Sequence, residues 1–307
     1  MKKIIMIIIS SIICIGLVVG GILVINSINV NKNSETKNYV VDKQYNKINI
    51  YTHIDDINIY VSTNNETKIT YVENNLFKYE INVIDNTLTI KQIKKEKNLF
   101  NFKNNKLDIY LTNEIFESLD IEGSTSDINI KQGLTFNNLE IENSTGNINI
   151  QSIVKNNIDI ELSTGDLKLE NSTFGNTNIE ATTGDIKLLN VTCKLLDIET
   201  TTGDIELSNT NCDSLNIEIT TGKTKLINSI VTNDLHITGS TGDVILDAFD
   251  AENINIKLTT GDVLGTILTS KFFIVKSNTG KEDVPETRDG GECRITATTG
   301  DIIITYK

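Results

Sequence analysis

From residue 117 onward, apolar and polar positions alternate in short runs that recur every 19 or 20 residues. In the unit starting at Thr182, Ile186 and Leu188 flank Lys187, and Leu196 and Ile198 alternate with Asp197 and Glu199. A period of two belongs to strands, and a helix would need 3.6. Between the strand runs stands a Thr-Gly pair whose glycines fall at 146, 165, 184, 203, 222, 242, 261, 280 and 300. One earlier copy, Ser124-Thr125-Ser126-Asp127, has Ser in place of Gly. Ten turns are therefore predicted, with Thr125, Thr145, Thr164, Thr183, Thr202, Thr221, Thr241, Thr260, Thr279 and Thr299 as one column.

No single unit can bury its apolar side alone, so successive units must stack with Ile over Ile in parallel, in-register ladders. The expectation is an all-β fold, a right-handed, single-stranded parallel β-helix about 48 Å long at ~4.8 Å per turn. Thr183-Gly184 and Thr202-Gly203 mark a tight corner, where Gly supplies a positive φ. Asn171, Asn190, Asn209 and Asn228, again 19 apart, predict a second corner with laddered amides. Cys193 and Cys212 lie one repeat apart and read as small buried hydrophobes on neighbouring strands. Stacked side chains point the same way, which suits a disulfide poorly.

The N-terminal third lacks the Thr-Gly mark. Residues 1–3 carry two lysines, and residues 4–25 carry no charge over 22 positions, enough helix to span about 33 Å. An uncleaved single-pass membrane anchor is expected, with Lys2 and Lys3 inside and the body outside the cytoplasm. Residues 26–38, rich in Asn, Ser, Lys and Thr, read as a polar tether. Residues 39–116 read as a β-rich cap of irregular first turns, with Phe100 and Phe102 in a charged loop, and residues 117–307 as the repeat domain.

The runs Leu107-Asp108-Ile109-Tyr110-Leu111 and Leu119-Asp120-Ile121-Glu122, the Thr-Gly-Asp repeats and the closing Cys293-Arg294-Ile295-Thr296-Ala297-Thr298-Thr299-Gly300-Asp301 carry a resemblance. Over residues 45–306 the chain resembles the uncharacterised "putative adhesin" family of Gram-positive bacteria, the toastrack-type β-strand repeat proteins. Many members have Pro where Thr112 stands here. The resemblance implies a membrane-proximal β-solenoid of the cell envelope, associated with envelope-stress systems, and supplies no catalytic or ligand residues.

Charge narrows the function. With 28 basic and 41 acidic residues the net charge is -13, which repels nucleic acid and anionic lipid headgroups. One Pro, no Trp, two His and two Arg leave few groups for catalysis. No nucleophile–base pattern, metal-ligand cluster or phosphate loop appears, so no enzyme activity, cofactor or small-molecule substrate is expected. The outward positions of one strand column are acidic, including Glu142, Glu161, Glu180, Glu199 and Glu218. Stacked like charges repel, so this face is a candidate for a basic partner or cations, with Lys168 and Lys187 as flanking relief. Asp166, Asp185 and Asp204 are weak cation candidates, since the paired glycines of calcium-binding repeats are absent. The strand Ile302-Ile303-Ile304 ends the chain and reads as an open edge for strand addition by an envelope protein partner. A non-catalytic interaction scaffold is the preferred reading; an adhesin for glycan or cations and a β-helix polysaccharide enzyme are the alternatives.

Overall fold

The computed structural model describes residues 34–95, 105–112 and 114–306. The proposed tip, the anchor, most of the tether, and Phe100 and Phe102 lie outside the described residues. The described residues form 26 strands in one sheet and no helix. The first strand, Glu35–Val41, begins inside the segment read as a tether.

Each turn carries two strand columns. One runs through Ile115–Thr125, Thr135–Thr145 and Ile153–Thr164, and the other through Ile128–Ile130 and Ile148–Ile150 into Leu167–Thr183. All of these pair in parallel and in register. Register follows from sequence because a slip of one residue would turn every buried Ile outward. Ile121, Ile141, Ile160, Ile179, Ile198, Ile217, Ile237 and Ile256 are all nearly or fully buried in one row. Each such side chain contributes about 1.5–3 kcal/mol of burial. Phe116, Phe136, Val154, Phe174, Cys212, Val231 and Ala251 fill another row of the same bore. Cys193, Cys212 and Cys293 are free and buried, acting as the small hydrophobes expected of them.

The threonine column runs unbroken from Thr125 to Thr260 in chain order. It then continues to Thr299 and ends on Thr279. Ten threonines bound nine steps, so the solenoid has about nine turns where ten were expected. The last two turns are exchanged in space: Glu292–Thr299 lies between Val244–Thr260 and Phe272–Thr279.

This order narrows the expected open edge. Ile302, Ile303 and Ile304 pair with Val263, Leu264 and Gly265 on one side. Glu282 and Asp283 pair with Ile302 and Ile303 on the other, while residues 304–306 pair on the first side alone. Ile302 and Ile304 are buried, and the strand Phe272–Thr279 also has a free outer side. Linear order suggested otherwise because the last residues of a chain need not form its last layer.

The N-terminal end repeats the device. Lys47–Thr52 pairs with Ile115–Thr125 on one side and Thr87–Lys94 on the other. Asp56–Val61 likewise sits between Ile128–Ile130 and Lys106–Leu111. Antiparallel strands then close this end: Phe77–Ile84 on Thr87–Lys94, Thr67–Glu73 on Lys106–Leu111, and Glu35–Val41 on Thr67–Glu73. Beneath them the Tyr79 hydroxyl donates to Asp55 Oδ2 at 2.6 Å. Burial pushes the Asp55 carboxyl up, against the opposing effect of that hydrogen bond.

Candidate functional site

The two corners differ in how they satisfy their polar groups. At the first, Gly184 and Gly203 take φ of 136° and 140°, and the Gly184 N–H donates to Thr202 O at 3.0 Å. A side chain at either glycine would collide with the glycine carbonyl of the preceding turn. Thr183 and Thr202 are exposed beside them. The Asp185 amide donates to Asp166 Oδ1, and the Asp204 amide to Asp185 Oδ1, each at 2.9 Å. These carboxylates therefore serve the backbone of the next turn. Among the described residues no group of three or more His, Cys, Asp or Glu is arranged to hold a metal ion. At the second corner Asn171, Asn190, Asn209 and Asn228 hold positive φ of 46–54°. Asn190 Nδ2 donates to Asn171 Oδ1 at 2.9 Å and Asn209 Nδ2 to Asn190 Oδ1 at 3.1 Å.

The acidic face divides into two rows with different chemistry. One row opens on three stacked carboxylates, Asp120, Glu140 and Asp159, and from Asp159 onward amides alternate with carboxylates: Asn178 Nδ2 donates to Asp159 Oδ1 at 2.9 Å and Asn216 Nδ2 to Asp197 Oδ1 at 2.8 Å. The neighbouring row has no such alternation. Glu122, Glu142, Glu161, Glu180, Glu199 and Glu218 follow one another in register on six consecutive turns. Lys168 does not offset this row, because it lies on the second column and bridges to Glu170 at 2.8 Å. Lys187 stacks beside Lys168 on that same column.

The glutamate row borders a groove of about 950 Å³. Glu122, Glu142, Glu161, Glu180 and Glu199 line it, and Ser124, Ser144, Ser163, Thr182 and Thr201 add a parallel hydroxyl row. Between the two rows Gly123 and Ala181 keep the floor low. Glu218 continues the row beyond the groove. The exchanged N-terminal layer supplies the head of the groove: Tyr51 stacks on Glu122, and Lys91 on Tyr51, with Lys91 Nζ 5.7 Å from the Tyr51 ring centroid. His53 completes this end, its N–H donating to Gln92 Oε1 at 2.7 Å and its carbonyl accepting from Thr125 N at 3.0 Å. Burial holds the His53 imidazole below its usual pKa, and Lys94 and Lys91 add to the effect.

Four of the five glutamates named from sequence, Glu142, Glu161, Glu180 and Glu199, thus come together in one groove. Sequence reasoning missed Tyr51, His53 and Lys91, which lie 31 residues or more from the nearest of the repeat glutamates. The available signal was the match of Ile48-Asn49-Ile50-Tyr51 to Leu119-Asp120-Ile121-Glu122, which are paired in register.

Residues 45–229 and 212–307 match the family described as Toastrack DUF4097. The chain belongs to the Toastrack family. Among solved structures, this Toastrack chain is similar to a "putative adhesin" of Bacteroides fragilis at 17% identity, covering 89% of this chain and 98% of that one, with a TM-score of 0.42. It is also similar to a "putative lipid binding protein" of Parabacteroides distasonis at 15% identity, over 77% of this chain and 95% of that one, with a TM-score of 0.49. A "putative adhesin" of the same organism is 14% identical over 89% and 98%, with a TM-score of 0.48. No curated protein matches the chain.

Proposed function

We infer that this Toastrack chain is a non-catalytic interaction module of the cell envelope, anchored by residues 4–25 with its body outside the cytoplasm. Its groove receives an extended basic segment of a protein partner. The observation that carries the reading is the in-register row of six glutamates with Tyr51, Lys91 and His53 at its head. Like charges stacked at strand spacing repel, and a cationic partner would relieve that repulsion. The neighbouring row is balanced by its amides from Asp159 onward, where it offers less of such a gain. The polar end at Lys91 would repel basic side chains, so the partner chain should lie between Glu142 and Glu218 with an acidic or aromatic end toward Tyr51.

Fluorescence anisotropy with a labelled decalysine peptide tests the groove. Glu142→Lys with Glu180→Lys should weaken binding at least tenfold, and wild-type affinity should fall with added salt. Equal affinity of the double variant and the parent would overturn the groove reading. The topology is tested separately: protease added to intact wall-stripped cells should remove the body, and full protection would overturn the extracytoplasmic placement.

A further inference from the structure

The exchange of the last two turns leaves Phe272–Thr279 as the terminal strand of the stack. Among the described residues it pairs with Glu292–Thr299 and with no other strand along its length. Its Phe272 N–H donates inward to Gly291 O at 2.9 Å. In a parallel ladder the direction alternates from residue to residue, so the N–H and C=O groups of Phe273, Val275 and Ser277 point off the end. The Ser277 N–H is taken by Glu282 Oε1 at 2.6 Å. Phe273 and Val275 are left as a short open edge.

The side chains of residues 272–275 are apolar. Phe272 is 45% exposed and Ile274 half-buried on the outer face, while Phe273 and Val275 pack against the core from the inner face. Natural edges are normally guarded by charge. Here the one charged residue of the strand is Lys276, beyond the open positions Phe273 and Val275. Residues 271–294 hold five basic and five acidic side chains in a chain of net charge -13. Two copies therefore meet little net electrostatic repulsion at this end.

We propose that Phe272–Thr279 pairs antiparallel with the same strand of a second copy, giving a closed two-fold dimer joined end to end. Glu282 fixes the register. Centring the pair on Val275 would place Phe273 opposite Ser277, whose N–H is already occupied. Centring it on Ile274 sets Phe273 opposite Val275 of the second copy and Ile274 opposite Ile274. Both hydrogen-bonding positions are then used, and Phe272 meets Lys276 on the outer face, a pairing that favours a cation over a ring. The contact is isologous and so stops at two copies.

Sedimentation velocity on the full-length chain in detergent should show a dimer. Val275→Pro removes an N–H that points off the end and spares the ladder to Glu292–Thr299, so circular dichroism should hold while the dimer weakens at least tenfold. Ile274→Cys supplies an independent readout. Directly opposed residues at the two-fold lie close enough for a disulfide, so oxidation should crosslink Ile274→Cys much faster than Thr238→Cys in the middle of the rod. A monomeric wild type, a dimer untouched by Val275→Pro, open filaments, or equal crosslinking at the two positions would each overturn the proposal.

Discussion

Thr260 lies directly beside Thr299, and Thr279, the next member of the threonine column in the sequence, lies one layer further out. The strand Ile302–Tyr306 is thereby held on both sides at Ile302 and Ile303. A strand at the end of a stack has one ladder of hydrogen bonds, whereas Ile302–Tyr306 has a full ladder to Val263–Ile267 and a short one to Glu282–Asp283. The N-terminal layer from Lys47 to Val61 is enclosed the same way. Release of residues 47–61, or of Ile302 and Ile303, must therefore displace a neighbouring layer.

This enclosure makes the final residues part of the core. Ile304→Ala should cost about 2–4 kcal/mol in urea melts, as for other buried Ile truncations. Ile303→Lys, on the half-buried outer face, should cost less than about 1 kcal/mol. Equal effects at the two positions would show that the inward and outward faces of this strand are misassigned.

Gly184 tests the first corner. Its φ of 136° and its contact with the Gly165 carbonyl leave no room for a side chain. Gly184→Ala should destabilise by at least about 2 kcal/mol, combining backbone strain with displacement of a packed neighbour. Thr183→Ser, exposed next to it, should stay within about 0.5 kcal/mol. Thermal melts of the two variants compare them directly.

Asn190 tests the second corner, where two contributions can be separated. Asn190→Gly keeps the φ of 54° accessible and removes only the amide ladder, at a cost of about 1 kcal/mol. Asn190→Ala also places an unsuited residue in the left-handed region, at roughly 1 kcal/mol more. If Ala were tolerated better than Gly, the positive φ would not be what selects Asn at this column.

The columns and corners were legible because a repeat converts spacing into position: residues 19 or 20 apart must share a row, and Ile198 above Ile179 follows from counting. Layer order is not encoded in that spacing. Thr260 and Thr299 are two repeats apart, and only the Pro285-bearing segment with Gly290 and Gly291 sets the last interval apart from the others. The groove was half legible for the same reason. Its glutamates come from successive repeats, but Tyr51, His53 and Lys91 arrive through the exchanged N-terminal layer. The Asp/Asn alternation beside the glutamates was visible as letters, yet its meaning as a hydrogen-bonded row needed the register.

Asp120 provides the pH test of the acidic face. Burial is the first cause of its raised pKa, followed by the charges of Glu140, Glu122 and Glu142. A carboxyl with a folded pKa above its unfolded value holds its proton more tightly in the folded state. Its ionisation therefore weakens folding, beginning as pH rises through the unfolded value near 3.9 and reaching its full extent above the folded pKa. Asp120→Asn should raise the melting temperature at pH 7, with the gain disappearing below about pH 4. Glu170 carries the opposite sign: Lys168 and Gln151 hold its pKa down, so its stabilisation is present above the unfolded value and lost as pH falls through the folded one. Glu170→Gln should therefore lower the melting temperature at pH 7, an effect tempered by solvent exposure, and leave it unchanged in acid. Melting curves of both variants and the parent from pH 3 to 7 give two differences of opposite sign that converge at the acid end. A loss of stability in Asp120→Asn at pH 7 would mean that the carboxylate is satisfied where it stands, against its burial and the charges of Glu140, Glu122 and Glu142.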